Sequence, residues 1–196
     1  VLSPLYINFT SPTDANSTVN RDWIYVNVTV DSDLNTSAFI DWNRSLIGWW
    51  SFDYYNSTGV YDNSSYGTFG SFQGGIGTSN LTAGKYGQGL VFDGINDYVN
   101  VNHATLWDFT ANNNITVEAW VKLASDTPEE YANIWGDANG PCLQMRKYSS
   151  GYYRLVWFTG VNQESDNISY SFDTWYHVAA VRQGTSSVKW YRDGIE

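Results

Sequence analysis

Period-two alternation constrains this chain more than any other feature. In NITVEAWVKL, Ile115, Val117, Ala119, Val121 and Leu123 fall on one face of an extended segment, and polar residues occupy most of the other. In WIYVNVTV, Ile24, Val26, Val28 and Val30 do the same. TWYHVAAVR is apolar on both faces, as expected of a strand covered on both sides. Strand-like runs are read at 5–10, 23–30, 37–42, 46–52, 89–92, 97–102, 114–123, 131–136, 141–147, 152–158, 168–172, 174–182 and 186–192. Clusters of Gly, Asn, Asp and Ser separate them. Only ATLWDF, at 104–109, reads as a short helical turn, and no internal repeat is found. Many strands with almost no helix make an all-β sandwich. FDGIND and YRDGIE each place Asp-Gly between β-like runs, a strong hairpin-turn signal.

The single cysteine, Cys142, excludes a disulfide framework and a multi-cysteine metal site. It lies in an alternating apolar run and reads as a small buried hydrophobe. The formal net charge is −10. Phosphate backbones and anionic lipid surfaces repel such a chain, so nucleic acid is a poor partner. No apolar run approaches the ~18 residues of a membrane span, so direct membrane insertion is not expected. No signal peptide opens the chain, which reads as an internal piece of a longer, processed protein.

Asn-x-Ser/Thr occurs ten times, at Asn8, Asn16, Asn27, Asn35, Asn43, Asn56, Asn63, Asn80, Asn114 and Asn167. Chance pairing in a chain with this much Asn, Ser and Thr gives roughly three or four. Placement supports selection. Asn27 lies opposite the aliphatic face of its run, and Asn8 lies opposite Leu5, Ile7 and Phe9, so a bulky glycan at either points to solvent. N-linked glycans place the chain outside the cell, at a cell surface.

Residues 46–196 carry a family resemblance. LIGWWSFD looks like an opening strand, VYDNSSYGTFGSFQGG like the turn region that follows, and GKYGQGLVFDGINDYVNV like the next conserved stretch. NITVEAWVKL, TWYHVAAVR and VKWYRDGIE match the later core strands in order. This pattern resembles the laminin-G-like and pentraxin-like jelly-rolls of the concanavalin A-like lectin/glucanase superfamily. Residues 1–45 resemble the first half of an immunoglobulin-like domain, and the boundary is read near residue 45. The whole is similar to an archaeal-type surface glycoprotein: an all-β, concanavalin A-like jelly-roll with N-terminal immunoglobulin-like strands. Two strands that normally follow VKWYRDGIE, and the second half of the immunoglobulin-like sandwich, are not in the sequence. The open edges are expected to be covered by downstream sequence or, through self-assembly, by a neighbouring subunit.

The resemblance directs the search for chemistry. Glucanases of this superfamily alternate acidic residues along one strand, and hydrolysis needs two carboxylates about 5–10 Å apart. That string is absent. The nearest imitation is Glu164 with Asp166 in QESDNISY, read as a solvated loop, while Glu118 is a lone acid in a core strand. Neither His103 nor His177 has the company of a nucleophile. The chain is therefore read as a non-enzyme. Calcium, with its taste for several oxygen ligands, is a possible cofactor. The resemblance to pentraxins implies an Asp-Asn pair in the loop GDANGP, here Asp137 and Asn139, and Asp93, Asn96 and Asp97 form another oxygen-rich cluster. Trp50, Trp120 and Trp175 are read as core. Trp135, which borders a loop, and Tyr153 and Trp157, which share a strand face, are the candidates for a sugar-binding surface. The expected role is adhesion, surface assembly or glycan binding, with glycans or other surface proteins as partners. The alternatives are a module of a secreted polysaccharide-degrading enzyme and a structural subunit of a surface layer or filament.

Overall fold

A computed structural model describes residues 6–11, 13–14, 20, 26–31, 41, 44–102, 114–124, 131–136, 141–149, 151–159, 162–184 and 187–196. The chain divides into two compact units, Val1–Leu46 and Ile47–Glu196. In the first, β1 (Tyr6–Phe9) pairs antiparallel with β2 (Val28–Asp31), with Ile7 opposite Val30. Val26, Val28 and Val30 are half-buried and Asn27 and Thr29 exposed, the alternation the sequence implies. Phe9 departs from it and is 75% exposed. The expected strand at 37–42, apart from Asp41, and the helical turn at 104–109 lie outside the described residues.

The second unit opens without a strand. LIGWWSFD was expected to supply one, but Leu46–Ser51 is irregular. The Trp50 ring folds back over Gly48 so closely that a Cβ there would sit 2.2 Å from it, and Phe52 takes a left-handed φ of 65°. Next come the short strands β3 (Tyr55–Asn56), β4 (Gly59–Val60) and β5 (Gly70–Gln73), then the hairpin β6 (Leu81–Ala83) with β7 (Gln88–Leu90), then β8 (Tyr98–Val101). The first three and β8 form one sheet in the order β3-β4-β5-β8.

The long strands follow: β9 (Ile115–Lys122), β10 (Tyr131–Gly136), β11 (Cys142–Ser149) and β12 (Tyr152–Phe158), the short β13 (Asn162–Glu164) and β14 (Ile168–Ser169), then β15 (Trp175–Gln183) and β16 (Ser187–Arg192). They make two antiparallel sheets. One runs β10-β11-β12-β13, with β14 also on β12, and the other runs β16-β15-β9. Their inner faces meet. Leu143, Met145, Tyr153, Leu155 and Trp157 from the first pack with Val178 and Ala180 from the second, and Val117, Val121, Val188 and Trp190 complete the layer. Each large side chain fully buried there contributes roughly 1.5–3 kcal/mol. Period two does the sorting: on β9 residues 115, 117, 119 and 121 are half-buried and 116, 118, 120 and 122 exposed. The second Asp-Gly turn forms as the sequence predicts. Asp193 and Gly194 have φ of 51° and 80°, and Arg192 and Ile195 exchange both backbone hydrogen bonds across it, a two-residue type I′ hairpin.

Candidate binding face

The turn between β11 and β12 sets two arginines opposite one another. Residues pair across this hairpin with Met145 against Leu155 and Arg146 against Arg154. Met145 and Leu155 point inward, so Arg146 and Arg154 point outward. Two like charges in direct register repel. Glu164, on the neighbouring β13, answers both: its Oε1 lies 3.2 Å from Arg146 Nη1, and its Oε2 accepts from Arg154 Nη1 at 2.6 Å. The Arg154 hydrogen bond, together with the positive charge of both guanidiniums, holds the Glu164 carboxyl below its ordinary value. Arg154 Nε also donates to Asn167 Oδ1 at 2.6 Å. Both guanidiniums lie over aromatic rings, Arg146 over Tyr131 at 4.9 Å and Arg154 over Tyr148 at 4.2 Å.

Register slips between Lys147 and Ser149, a β-bulge. A bulge interrupts alternation and re-aims side chains. Consecutive residues Arg146, Lys147 and Tyr148 consequently line one cavity of about 260 Å³, together with Arg154 and Glu164.

Of the expected sugar-binding aromatics, Tyr153 and Trp157 do not reach solvent and Trp135 is half-buried. Tyr153 is 2% and Trp157 0% exposed, because their parity is that of Leu155 and all three face the core. Burial pushes the Tyr153 phenol up, and it pushes the Tyr170 phenol up to about 12. A second bulge, between Asn133 and Trp135, lets Ile134 and Trp135 both turn inward, and Trp135 stacks on Trp157 at 5.7 Å between centroids. Trp120 corrects the opposite expectation. It is 38% exposed on the outer face of β9, in ring contact with Tyr86 and His177. His177 Nε2 lies 3.6 Å from Glu118 Oε2.

Asp166 lies past the end of β13 and is exposed, so Glu164 and Asp166 do not share a strand. Asp137, Asn139 and His103 lie outside the described residues. At FDGIND, Asp93 Oδ1 accepts the backbone N–H of Ile95, Asn96 and Asp97, and Asp97 Oδ2 accepts that of Asp93. These two oxygens close a turn. Among the described residues no group of three His, Cys, Asp or Glu side chains could hold a metal ion. Cys142 is buried, and burial pushes its thiol up. Of the sequons, Asn8, Asn27, Asn56, Asn63, Asn114 and Asn167 are exposed and Asn80 is half-buried; Asn16, Asn35 and Asn43 lie outside the described residues.

A sequence profile of the laminin G-type division of the concanavalin A-like lectin/glucanases superfamily matches residues 93–196, more than half of the chain and all of both long sheets. The chain belongs to this superfamily. No curated protein and no solved structure matches it. Concanavalin A-like sandwiches of the laminin G type bind carbohydrate or other ligands in a general sense. In this concanavalin A-like domain the cavity is on the outer face of the β10–β14 sheet. No helix among the described residues is long and apolar enough to cross a membrane.

The arginine pair was missed because RKYSSGYYR looks like a polar surface turn. The signal was there: Arg146 and Arg154 flank the Ser-Ser-Gly turn at equal distance, so a hairpin closing on it must set them side by side.

Proposed function

We propose that this chain is an extracellular, N-glycosylated surface-protein domain that binds glycans without cleaving them, and that the cavity between β11, β12 and β13 is its binding site. One observation carries the reading: the cavity is cationic and flanked by aromatic rings, and its one carboxylate is committed to two arginines. Glycoside hydrolysis needs two carboxylates, one of them an acid whose pKa is raised. Glu164 is shifted the other way. Polar donors fixed over aromatic rings suit recognition of hydroxyl-rich ligands, since they orient a ligand without reacting with it. Exposed Asn side chains in six described sequons support an extracellular setting, where glycosylation occurs.

The test is a glycan array probed with the intact chain and with Arg154→Ala. Binding to a subset of glycans that falls at least tenfold in the variant, with no release of reducing sugar, is expected. An array without signal, undiminished binding by the variant, or cleavage of the bound glycan would each refute the reading.

A further inference from the structure

The charge in the cavity is out of keeping with the chain around it. Arg146, Lys147 and Arg154 are three of only ten Lys and Arg residues in a chain of net charge −10, and one acid, Glu164, lines the cavity with them. The local surplus is two positive charges. Stability does not explain the gathering, because partly exposed ion pairs contribute little. The register builds the repulsion in, because it sets Arg146 directly against Arg154.

We propose that the cavity takes a sugar residue bearing a carboxylate, a uronic acid, and that Arg154 and Lys147 read its charge. This rests on the glycan-binding reading above and names the ligand class for that site. Glu164 spends each carboxylate oxygen on a different arginine. Arg154 gives Nη1 to Glu164 and Nε to Asn167, and among the described residues its Nη2 amino group has no partner. Lys147 is exposed and forms no ion pair among the described residues. So two cationic donors face the cavity after its own carboxylate has been accounted for. The Tyr148 ring lies against the Arg154 guanidinium, 4.2 Å from its carbon, and limits how it can turn. A fixed, planar donor set is the geometry that recognises a carboxylate. At about 260 Å³ the cavity falls below the roughly 300 Å³ at which drug-sized pockets begin. One sugar ring fills it, and the rest of a polysaccharide runs out across the open sheet face.

The decisive experiment is a nuclear magnetic resonance titration of the intact 196-residue chain with three probes: sodium D-glucuronate, the uncharged D-glucuronamide of the same shape, and sodium acetate. The amides of β11 and β12 and the arginine Nε–H signals report binding. The expected result is at least tenfold tighter binding of glucuronate than of either other probe, weakening as salt is added. Lys147→Gln, which leaves the ion network and the fold intact, lowers glucuronate affinity about twofold to fivefold. Arg154→Gln abolishes it, and Lys147→Gln keeps the test decisive if that variant does not fold. Equal binding of glucuronate and glucuronamide overturns the charge reading while leaving glycan binding standing. Equal binding of glucuronate and acetate reduces the cavity to a simple anion site and also overturns it. Failure of all three probes, alongside a positive glycan array that is insensitive to Arg154→Ala, places the glycan elsewhere and overturns both readings of this cavity.

Discussion

Asp62 offers the sharpest test of how the loop-rich first third of the larger unit is held. Its carboxylate accepts five hydrogen bonds. Oδ1 takes the backbone N–H of Trp49 at 2.8 Å and of Ser64 at 2.7 Å; Oδ2 takes Ser64 Oγ at 2.7 Å, Thr68 Oγ1 at 2.8 Å and Thr68 N–H at 3.0 Å. One side chain thus ties residue 49 to the 62–68 loop where no strand does so. Asp62→Asn keeps the shape and replaces one oxygen by an amino group. With the amide oxygen at Oδ1, both hydroxyls at the other end can rotate to accept, but the Thr68 N–H cannot. Thr68 is 7% exposed, so one donor is left buried and unpaired. That costs about 1–3 kcal/mol, and loss of charge assistance in the remaining bonds brings the total to about 2–3 kcal/mol. In a unit of this size Tm should fall by roughly 4–12 °C. The pH dependence has a definite sign. Burial alone would raise the carboxyl, but the hydrogen bonds from Trp49, Ser64 and Thr68 outweigh it and hold the pKa below its ordinary value. A depressed folded-state pKa gives stability that is complete above the unfolded value of about 3.9 and is lost as pH falls through the folded value. Thermal unfolding by circular dichroism should therefore show the full gap between wild type and Asp62→Asn at pH 7, shrinking below about pH 4. Equal Tm values at pH 7, or a gap indifferent to acid, would refute this account.

The core and the compartment are tested separately. Leu155→Ala removes a side chain with 0% exposure at the centre of the inner layer and should cost about 2–5 kcal/mol in urea unfolding; a cost under 1 kcal/mol would mean the two long sheets do not pack as described. Intact-mass measurement of the protein from its native source should exceed the bare chain by several glycans, with Asn8 and Asn27 among the occupied sites; a bare mass removes the extracellular argument.

Legibility followed side-chain pattern: the long strands were read, and so were the short β1, β2, β7, β8 and β14. β9, β10, β11, β12, β15 and β16 announce themselves because each offers six or more residues of strand-forming sequence, alternating in β9 and apolar on both faces in β15. The two- to four-residue strands β3, β4, β5, β6 and β13 do not. Segments such as Gly59–Val60 and Gly70–Gln73 pair through their backbones, and glycine supplies no pattern to read. LIGWWSFD was misread for the same reason turned round: its aromatic residues look like strand formers, yet Trp50 can fold over position 48 because that residue is Gly. Tyr153 and Trp157 failed as candidates on parity alone. Tyr153, Leu155 and Trp157 are three consecutive residues of one face, and an obligate core leucine in the middle assigns all three inward. Bulges are the part a period cannot foretell. One turned Trp135 into the core, and another brought Lys147 and Tyr148 to the cavity beside Arg146.

Fold and ligand are written on different residues of the same strands. On β11 and β12 the inward set, Leu143, Met145, Tyr153, Leu155 and Trp157, is what two sheets need in order to pack, and any member of the superfamily must supply its equivalent. The outward set that includes Gln144, Arg146 and Arg154 is not needed for that packing, so its chemistry is open to selection for a ligand. Carboxylates at such positions, one protonated and one not, would make a hydrolase. Here the outward positions carry arginines, and the single acid that joins them, from β13, is drawn into neutralising their mutual repulsion. An arginine holds its charge through the whole physiological range and has no proton to lend to a leaving group. On the proposed reading, a sandwich whose outer face is furnished in this way grips an acidic ligand and has no second carboxylate among the residues lining the cavity for the two-carboxylate route, and the choice between the two rests on a few alternate residues that leave the core untouched.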